Sequence, residues 1–175
     1  MHIGEGFEYP LFEVAMTIQH INSIELRNAL GQFATGITVV TTLTDSKEPV
    51  GMTANSFNSV SLNPPLVLWS IGKKSANYKE FVEAGYFAIH ILAASQHAIS
   101  NQFAQKDSDR FINLKCSSGI NDIPILPDFA ACFQCSIEHH YEGGDHTILV
   151  GRIIDFENRG QDPLLFHRGK YAKLA

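Results

Sequence analysis

Gly51-Met52-Thr53-Ala54-Asn55-Ser56-Phe57-Asn58-Ser59-Val60-Ser61-Leu62-Asn63-Pro64-Pro65-Leu66-Val67-Leu68-Trp69-Ser70-Ile71-Gly72-Lys73-Lys74-Ser75 is the most informative stretch of the chain. From Val50 to Leu62 valine, threonine, phenylalanine and serine alternate as in a strand, yet hydroxyl and amide side chains crowd a pattern that is otherwise apolar. That is unusual for a core strand. Asn63-Pro64-Pro65 interrupts the run, and Leu66 to Ile71 is an apolar strand. Ser75 is expected to open a helix with Tyr78, Phe81 and Val82 on one side, ended by Gly85. Lys73-Lys74-Ser75 would then put two cations, a hydroxyl and free backbone N–H groups at a helix start, an arrangement suited to a phosphate-sized anion. From chemistry alone the hydroxyls of Thr53, Ser56 and their neighbours could equally face a ligand or water.

On the N-terminal side, Ile37 to Leu43 is β-branched through its first six residues, and Asp45 to Pro49 carries turn chemistry, so a hairpin with Val50 to Leu62 is expected. Before it, Leu26, Leu30 and Phe33 recur at helical spacing, with Ser23 as the expected N-cap and Gly36 at the helix end. Residues 1–22 have no sustained period and are expected to form an arm, leaving 23–175 as one domain. On the C-terminal side the reading is a strand from Tyr86 to Leu92, a helix capped by Ser95 and carrying Ile99 and Phe103, and loop as far as Pro127. Two long strands, Ala130 to Tyr141 and His146 to Phe156, then meet at Glu142-Gly143-Gly144-Asp145, and a short strand lies near Leu164 to Phe166. Strands outnumber helices and join through short turns. A mainly β, antiparallel barrel with a few peripheral helices is therefore favoured over a doubly wound parallel sheet.

The 175 residues, 45% hydrophobic and 18% charged, suit one compact domain. A net charge of -5 without a basic block gives no footprint for nucleic acid and no driver for an anionic membrane. No export signal or membrane span is legible, so a cytoplasmic protein with three reduced cysteines is expected. G-x-G-x-x-G does not occur, and Gly31 to Gly36 lacks the lysine and hydroxyl that a Walker A loop needs. Cys132-x-x-Cys135 with His139 and His140 has ligand-like composition, but residues three apart on a strand point to opposite faces, so no metal site is expected.

Thr35-Gly36-Ile37-Thr38-Val39-Val40-Thr41-Thr42, Thr53 to Phe57, Pro64-Pro65, Gly144-Asp145-His146-Thr147-Ile148-Leu149-Val150-Gly151 and Pro163-Leu164-Leu165-Phe166-His167-Arg168-Gly169-Lys170-Tyr171 stand in one order along the chain. Each piece is weak alone. The ordered set, from about Leu26 to Tyr171, closely resembles the flavin reductase-like family. A flavin's pyrimidine edge presents alternating donors and acceptors that Asn, Ser and Thr can meet, while apolar side chains take its dimethylbenzene end.

The resemblance implies a homodimeric FMN-binding split β-barrel that moves a hydride from NADH or NADPH to FMN, or to FAD, and often hands reduced flavin to a separate monooxygenase. By position it places Thr53, Ala54, Asn55 and Ser56 along the ring and ribityl chain, and Ser70, Lys74 and Ser75 toward the phosphate. It puts Thr35 and Thr38 near the ring and lets Phe103, seven residues after Gln96, close the pocket. Tyr171 is a further candidate, as are His167 and Arg168 for a cofactor phosphate. His146, oriented by Asp145, is expected to meet the pyridine nucleotide. A flavin-binding protein without reductase activity on the same barrel is the alternative. A relative of pyridoxine-phosphate oxidase would need a second basic phosphate pocket, for which the sequence offers only scattered Lys and Arg.

Overall fold

The computed structural model describes residues 21–106 and 109–174; the expected N-terminal arm lies outside them except for its last two residues. Helix α1 (Ser23–Leu30) is followed by β1 (Thr35–Gly36), β2 (Thr38–Leu43), β3 (Pro49–Ala54), β4 (Asn58–Leu62) and β5 (Pro65–Gly72). Then come α2 (Tyr78–Glu83), β6 (Tyr86–Ile91), α3 (His97–Ala104), β7 (Ser117–Ser118), a turn of 3-10 helix at Ile120–Asp122 and β8 (Pro124–Ile125). The chain closes with β9 (Ala131–Gly143), β10 (His146–Asn158), β11 (Leu165–His167) and β12 (Lys170–Ala172). No helix of the described residues is long and apolar enough to cross a membrane.

The main sheet has seven antiparallel strands in the order β3-β2-β6-β9-β10-β5-β4. β3 and β4 are its opposite edges, yet only Asn55, Ser56 and Phe57 separate them in sequence. Seven flat strands would set those edges roughly 28 Å apart. The link from Ala54 to Asn58 can span at most about 14 Å. The sheet must therefore curl until the joined ends of its two edges come within that reach, an open barrel consistent with the split barrel expected from the sequence, and the three-residue link crosses the seam. The expectation of one continuous strand from Val50 to Leu62 is corrected here, since the run breaks at the seam and its halves pair with different partners, β2 and β5.

The barrel is filled by Val40, Val67, Trp69, Ile71, Phe81, Phe87, Ile89, Cys135 and Leu149, all buried. Trp69 meets the ring edges of Phe81 at 5.0 Å and Phe87 at 6.2 Å, the offset geometry that aromatic quadrupoles favour. Gly151 allows this packing: a Cβ there would stand 2.4 Å from Phe87 and 2.9 Å from Cys135. Cys132 belongs to a different cluster, with Ala88 and Phe129, so the two thiols diverge across the sheet. Burial pushes both up to about 12, the neutral thiol form.

A smaller sheet, β1-β11-β12, leans against the barrel mouth. It is pinned where Ile37 N donates to Leu164 O (2.9 Å), Leu164 N to Leu92 O (2.7 Å) and Leu92 N to Ile37 O (3.0 Å).

The helix boundaries differ from the sequence reading. Asn22, not Ser23, caps α1, its side chain accepting from Ile24 N and Glu25 N, and the helix ends at Gly31, not Gly36, which lies in β1. None of the residues in α1 is buried. Asn77 and Gln96, not Ser75 and Ser95, stand at the N-caps of α2 and α3.

Candidate active site

At the seam the backbone is held by hydroxyls. Thr38 Oγ1 donates to Ala54 O at 2.8 Å, and Thr53 Oγ1 donates to Ser100 O on α3 at 2.6 Å. Ser56 Oγ accepts from Ser70 N at 2.9 Å and donates to Ser70 O at 3.0 Å, so a side chain makes the two bonds that a neighbouring strand would make. Thr38 is only 1% exposed and therefore holds the wall from behind. The exposed Asn55 side chain has no hydrogen bond among the described residues, which leaves a donor and an acceptor at the bend.

A pocket of about 250 Å³ opens at this bend, lined by Thr53, Ala54, Asn55, Ser100, Phe166 and Tyr171 among others. The Tyr171 hydroxyl lies 2.9 Å from Ser100 Oγ and 2.7 Å from Asn101 Oδ1, and its ring is 4.5 Å from that of His97. A larger cleft of about 700 Å³ adjoins it, sharing Asn55 and Phe166. Thr35 lines this cleft with a buried Oγ1 that lacks a partner. Such an orphaned hydroxyl is costly unless something outside the described residues satisfies it.

The second group of expected residues sits where β5 leaves the barrel. Lys73-Lys74-Ser75 forms a turn ahead of α2, with Ser75 N donating to Gly72 O at 2.9 Å; the helix itself starts three residues after Ser75. The anion site expected at a helix start is thus a site at a basic turn. Lys73 is committed to Glu142, which also raises its pKa. Lys74 has no ion pair among the described residues and is the cation of the pair left for a ligand.

His146 opens β10 opposite Gly72, and its ring covers that glycine, with Nε2 3.6 Å from where a Cβ would be. Its Nδ1 lies 2.7 Å from Asp145 Oδ1, and that hydrogen bond holds the Asp145 carboxyl below its usual range. With Nδ1 so engaged, Nε2 is the nitrogen available to a ligand.

Thr35, Thr53, Ala54, Asn55 and Tyr171 thus gather at the pocket and its adjoining cleft, while Lys74, Ser75 and His146 gather at the end of β5. Ser56 and Ser70 tie the two ends together. Phe103 is 1% exposed and packs edge-on against Phe111 at 5.1 Å, under Gly51, so it supports the wall and has no face in the pocket. Ser100 was missed from sequence. Its signal was its place three residues before Phe103, on the same helical face.

The family profile described as "Flavin reductase like domain" matches residues 30–175. The reductase component of the flavin-dependent trigonelline monooxygenase of Acinetobacter baylyi is 45% identical over 152 residues, 86% of this chain and 49% of that protein. The FMN reductase (NADH) SmoA of Agrobacterium fabrum is 44% identical over 154 residues, covering 88% of this chain and 87% of that one. Among solved structures, the Streptomyces globisporus NADH:FAD oxidoreductase SgcE6 superposes with a TM-score of 0.83 at 37% identity, over 88% of this chain and 93% of that one. The chain spans about half the length of two of the curated relatives that it matches.

Proposed function

The chain belongs to the flavin reductase-like domain family, and from that premise we propose that it is a flavin reductase that moves a hydride from NADH or NADPH to FMN, with FAD as a second acceptor. The observation that carries this reading is the seam itself: the exposed, unpartnered Asn55 amide borders both adjoining hollows, in reach of donors and acceptors such as a flavin's pyrimidine edge presents, and the orphaned Thr35 hydroxyl lies in the wall behind the larger one. The residues fit the cofactor.

Hydride exchange is native to reduced nicotinamide and flavin, so the protein's part is to place the rings and keep water away. Thr53 and Ala54 wall the ring pocket, and Asn55 supplies an amide to the ring edge. Ser56 acts through the bend, since its hydroxyl is already spent on Ser70. Lys74 and Ser75 face the terminal phosphate of FMN. His146 presents Nε2 to the pyridine nucleotide, its ring held by Asp145. NADH is the favoured donor, because SmoA and SgcE6 are both described as using it.

The working unit in this reading is a homodimer. Large apolar side chains stand bare in the single chain, Leu62 at 96% and Phe156 at 65%, which is surface that a second copy would cover. A monooxygenase that takes up the reduced flavin follows from the trigonelline monooxygenase component, and a cytoplasmic site is in keeping with three free cysteines. The test is flavin-dependent NADH consumption with free FMN, FAD and riboflavin. Turnover that saturates in flavin is expected.

A further inference from the structure

The turn assigned to the flavin phosphate carries its own counter-charges. Lys73 and Lys74 follow β5, and the β9–β10 turn beside them supplies two carboxylates, Glu142 and Asp145. Lys73 Nζ lies 2.5 Å from Glu142 Oε2, and this hydrogen bond raises the Lys73 pKa. Asp145 is held below the usual carboxylate range, by its hydrogen bond to His146 first and by the charge of Lys74 to a smaller extent. Two cations thus stand against two anions before any ligand arrives. A cation already paired has less to offer an incoming phosphate, because the new charge-assisted bond must replace an existing one.

The Lys73–Glu142 pair is not what docks the two turns. Strand β10 pairs with β5 from His146 opposite Gly72 to Arg152 opposite Leu66, and the Lys73 amide donates to Asp145 O at 2.9 Å. Backbone bonds therefore fix the β9–β10 turn at the end of β5, and the His146 ring over Gly72 with it. What the Glu142 carboxylate adds is charge, placed on Lys73. Both side chains reach solvent, Lys73 at 38% and Glu142 at 78% exposure, and an exposed pair of this kind is readily exchanged. A phosphate monoester carries a charge of about -1.5 to -2 at neutral pH. A carboxylate carries one, so the phosphate is the stronger partner for Lys73.

We infer that Glu142 is a built-in competitor of the flavin phosphate: its carboxylate holds Lys73 in the free chain, yields it to the terminal phosphate of FMN, and takes it back as the flavin leaves. The inference rests on the flavin reductase reading above and deepens it, since it sets how the flavin is used. Lys74 and Ser75 are the standing phosphate contacts, Lys73 is the second cation, and Glu142 offsets part of what that cation contributes. The effect is to keep FMN an exchanging substrate, as a chain that passes reduced flavin onward requires. Glu142 touches no flavin in this account. It acts through Lys73, and only on flavins that carry a phosphate.

The test is binding of FMN and of riboflavin, followed by quenching of flavin fluorescence, in the full chain, in Glu142→Gln, in Lys73→Met and in the double variant. Glu142→Gln keeps the size of an exposed side chain and removes its charge. It should tighten FMN roughly three-fold or more and leave riboflavin where it was. High salt should shrink the difference between parent and variant, because screening weakens the pair that Glu142 makes. Lys73→Met should weaken FMN, and in that background Glu142→Gln should gain less. A bracing role for Glu142 predicts the opposite sign, a loss of FMN affinity when the ion pair goes. FMN affinity that falls or stays level in Glu142→Gln, an equal gain for riboflavin, or an undiminished gain in the Lys73→Met background would overturn the role of Glu142 and leave the flavin reading standing. A chain that binds neither flavin would overturn the flavin reading itself.

Discussion

One hydroxyl, Ser56 Oγ, bonds both the amide and the carbonyl of Ser70, at 2.9 and 3.0 Å. Because Ser56 lies in the link between the two edge strands, this pair of bonds holds the seam at the point where Asn55 turns outward. Ser56→Ala leaves two half-buried backbone groups of β5 without partners and should cost about 1–3 kcal/mol in denaturant unfolding. Flavin affinity should fall for riboflavin as much as for FMN, since the bend and not the phosphate is disturbed. Unchanged stability would show that the bend holds itself.

Lys74 supplies the opposite pattern. Its neighbour Lys73 is tied to Glu142, and Lys74 is the cation left at the basic turn. Lys74→Ala should weaken FMN roughly ten-fold and leave riboflavin, which has no phosphate, where it was. Equal loss for the two flavins, read by fluorescence quenching, would remove Lys74 from the phosphate.

His146→Ala should raise the KM for the pyridine nucleotide more than that for flavin, because the ring stands at the end of β10 over Gly72 and its free nitrogen is Nε2. Asp145→Asn should do the same more weakly, through loss of the carboxylate that orients the ring. Equal shifts in the two constants would place His146 elsewhere in the reaction.

His90 predicts an acid limit to stability. It is fully buried, its Nδ1 3.1 Å from Val39 O and its Nε2 accepting from Leu126 N at 3.2 Å. Burial first, and the charge of Arg159 to a smaller extent, push its pKa from 6.5 down to about 4. Between those values the unfolded chain binds a proton that the folded chain refuses, so stability is complete above about 6.5, declines as pH falls toward 4 and levels off below. The loss over that window is on the order of 3 kcal/mol. His90→Gln should remove that part of the slope in unfolding measured at stepped pH. A variant with the parent's slope would mean that other groups set it.

The pattern of strands was legible because half-buried β-structure writes itself as alternation, and the order of motifs pointed to the split barrel. The seam was not legible. Thr53 and Phe57 are strand formers flanking the bend, and what breaks the run is tertiary: the two halves pair with different strands, and Ser56 bonds Ser70, fourteen residues on. Ser75 and Ser95 looked like caps because a serine before an apolar period is the local signal, but the Ser75 amide is used in a turn with Gly72. Gly36 looked like a helix end because Leu165, its pairing partner in β11, is distant in sequence. The individual site residues were named from motif positions, whereas Arg27 and Phe166 join the hollows through tertiary placement that no local spacing encodes.

Steady-state oxidation of NADH by the purified chain with FMN added tests the central claim most directly. The account predicts a rate that saturates in both NADH and FMN, with reduced flavin released to solution. Tight binding of FMN with no NADH or NADPH consumed in the presence of FMN, FAD or riboflavin would contradict it, and would mark the chain as a flavin-binding protein without reductase activity.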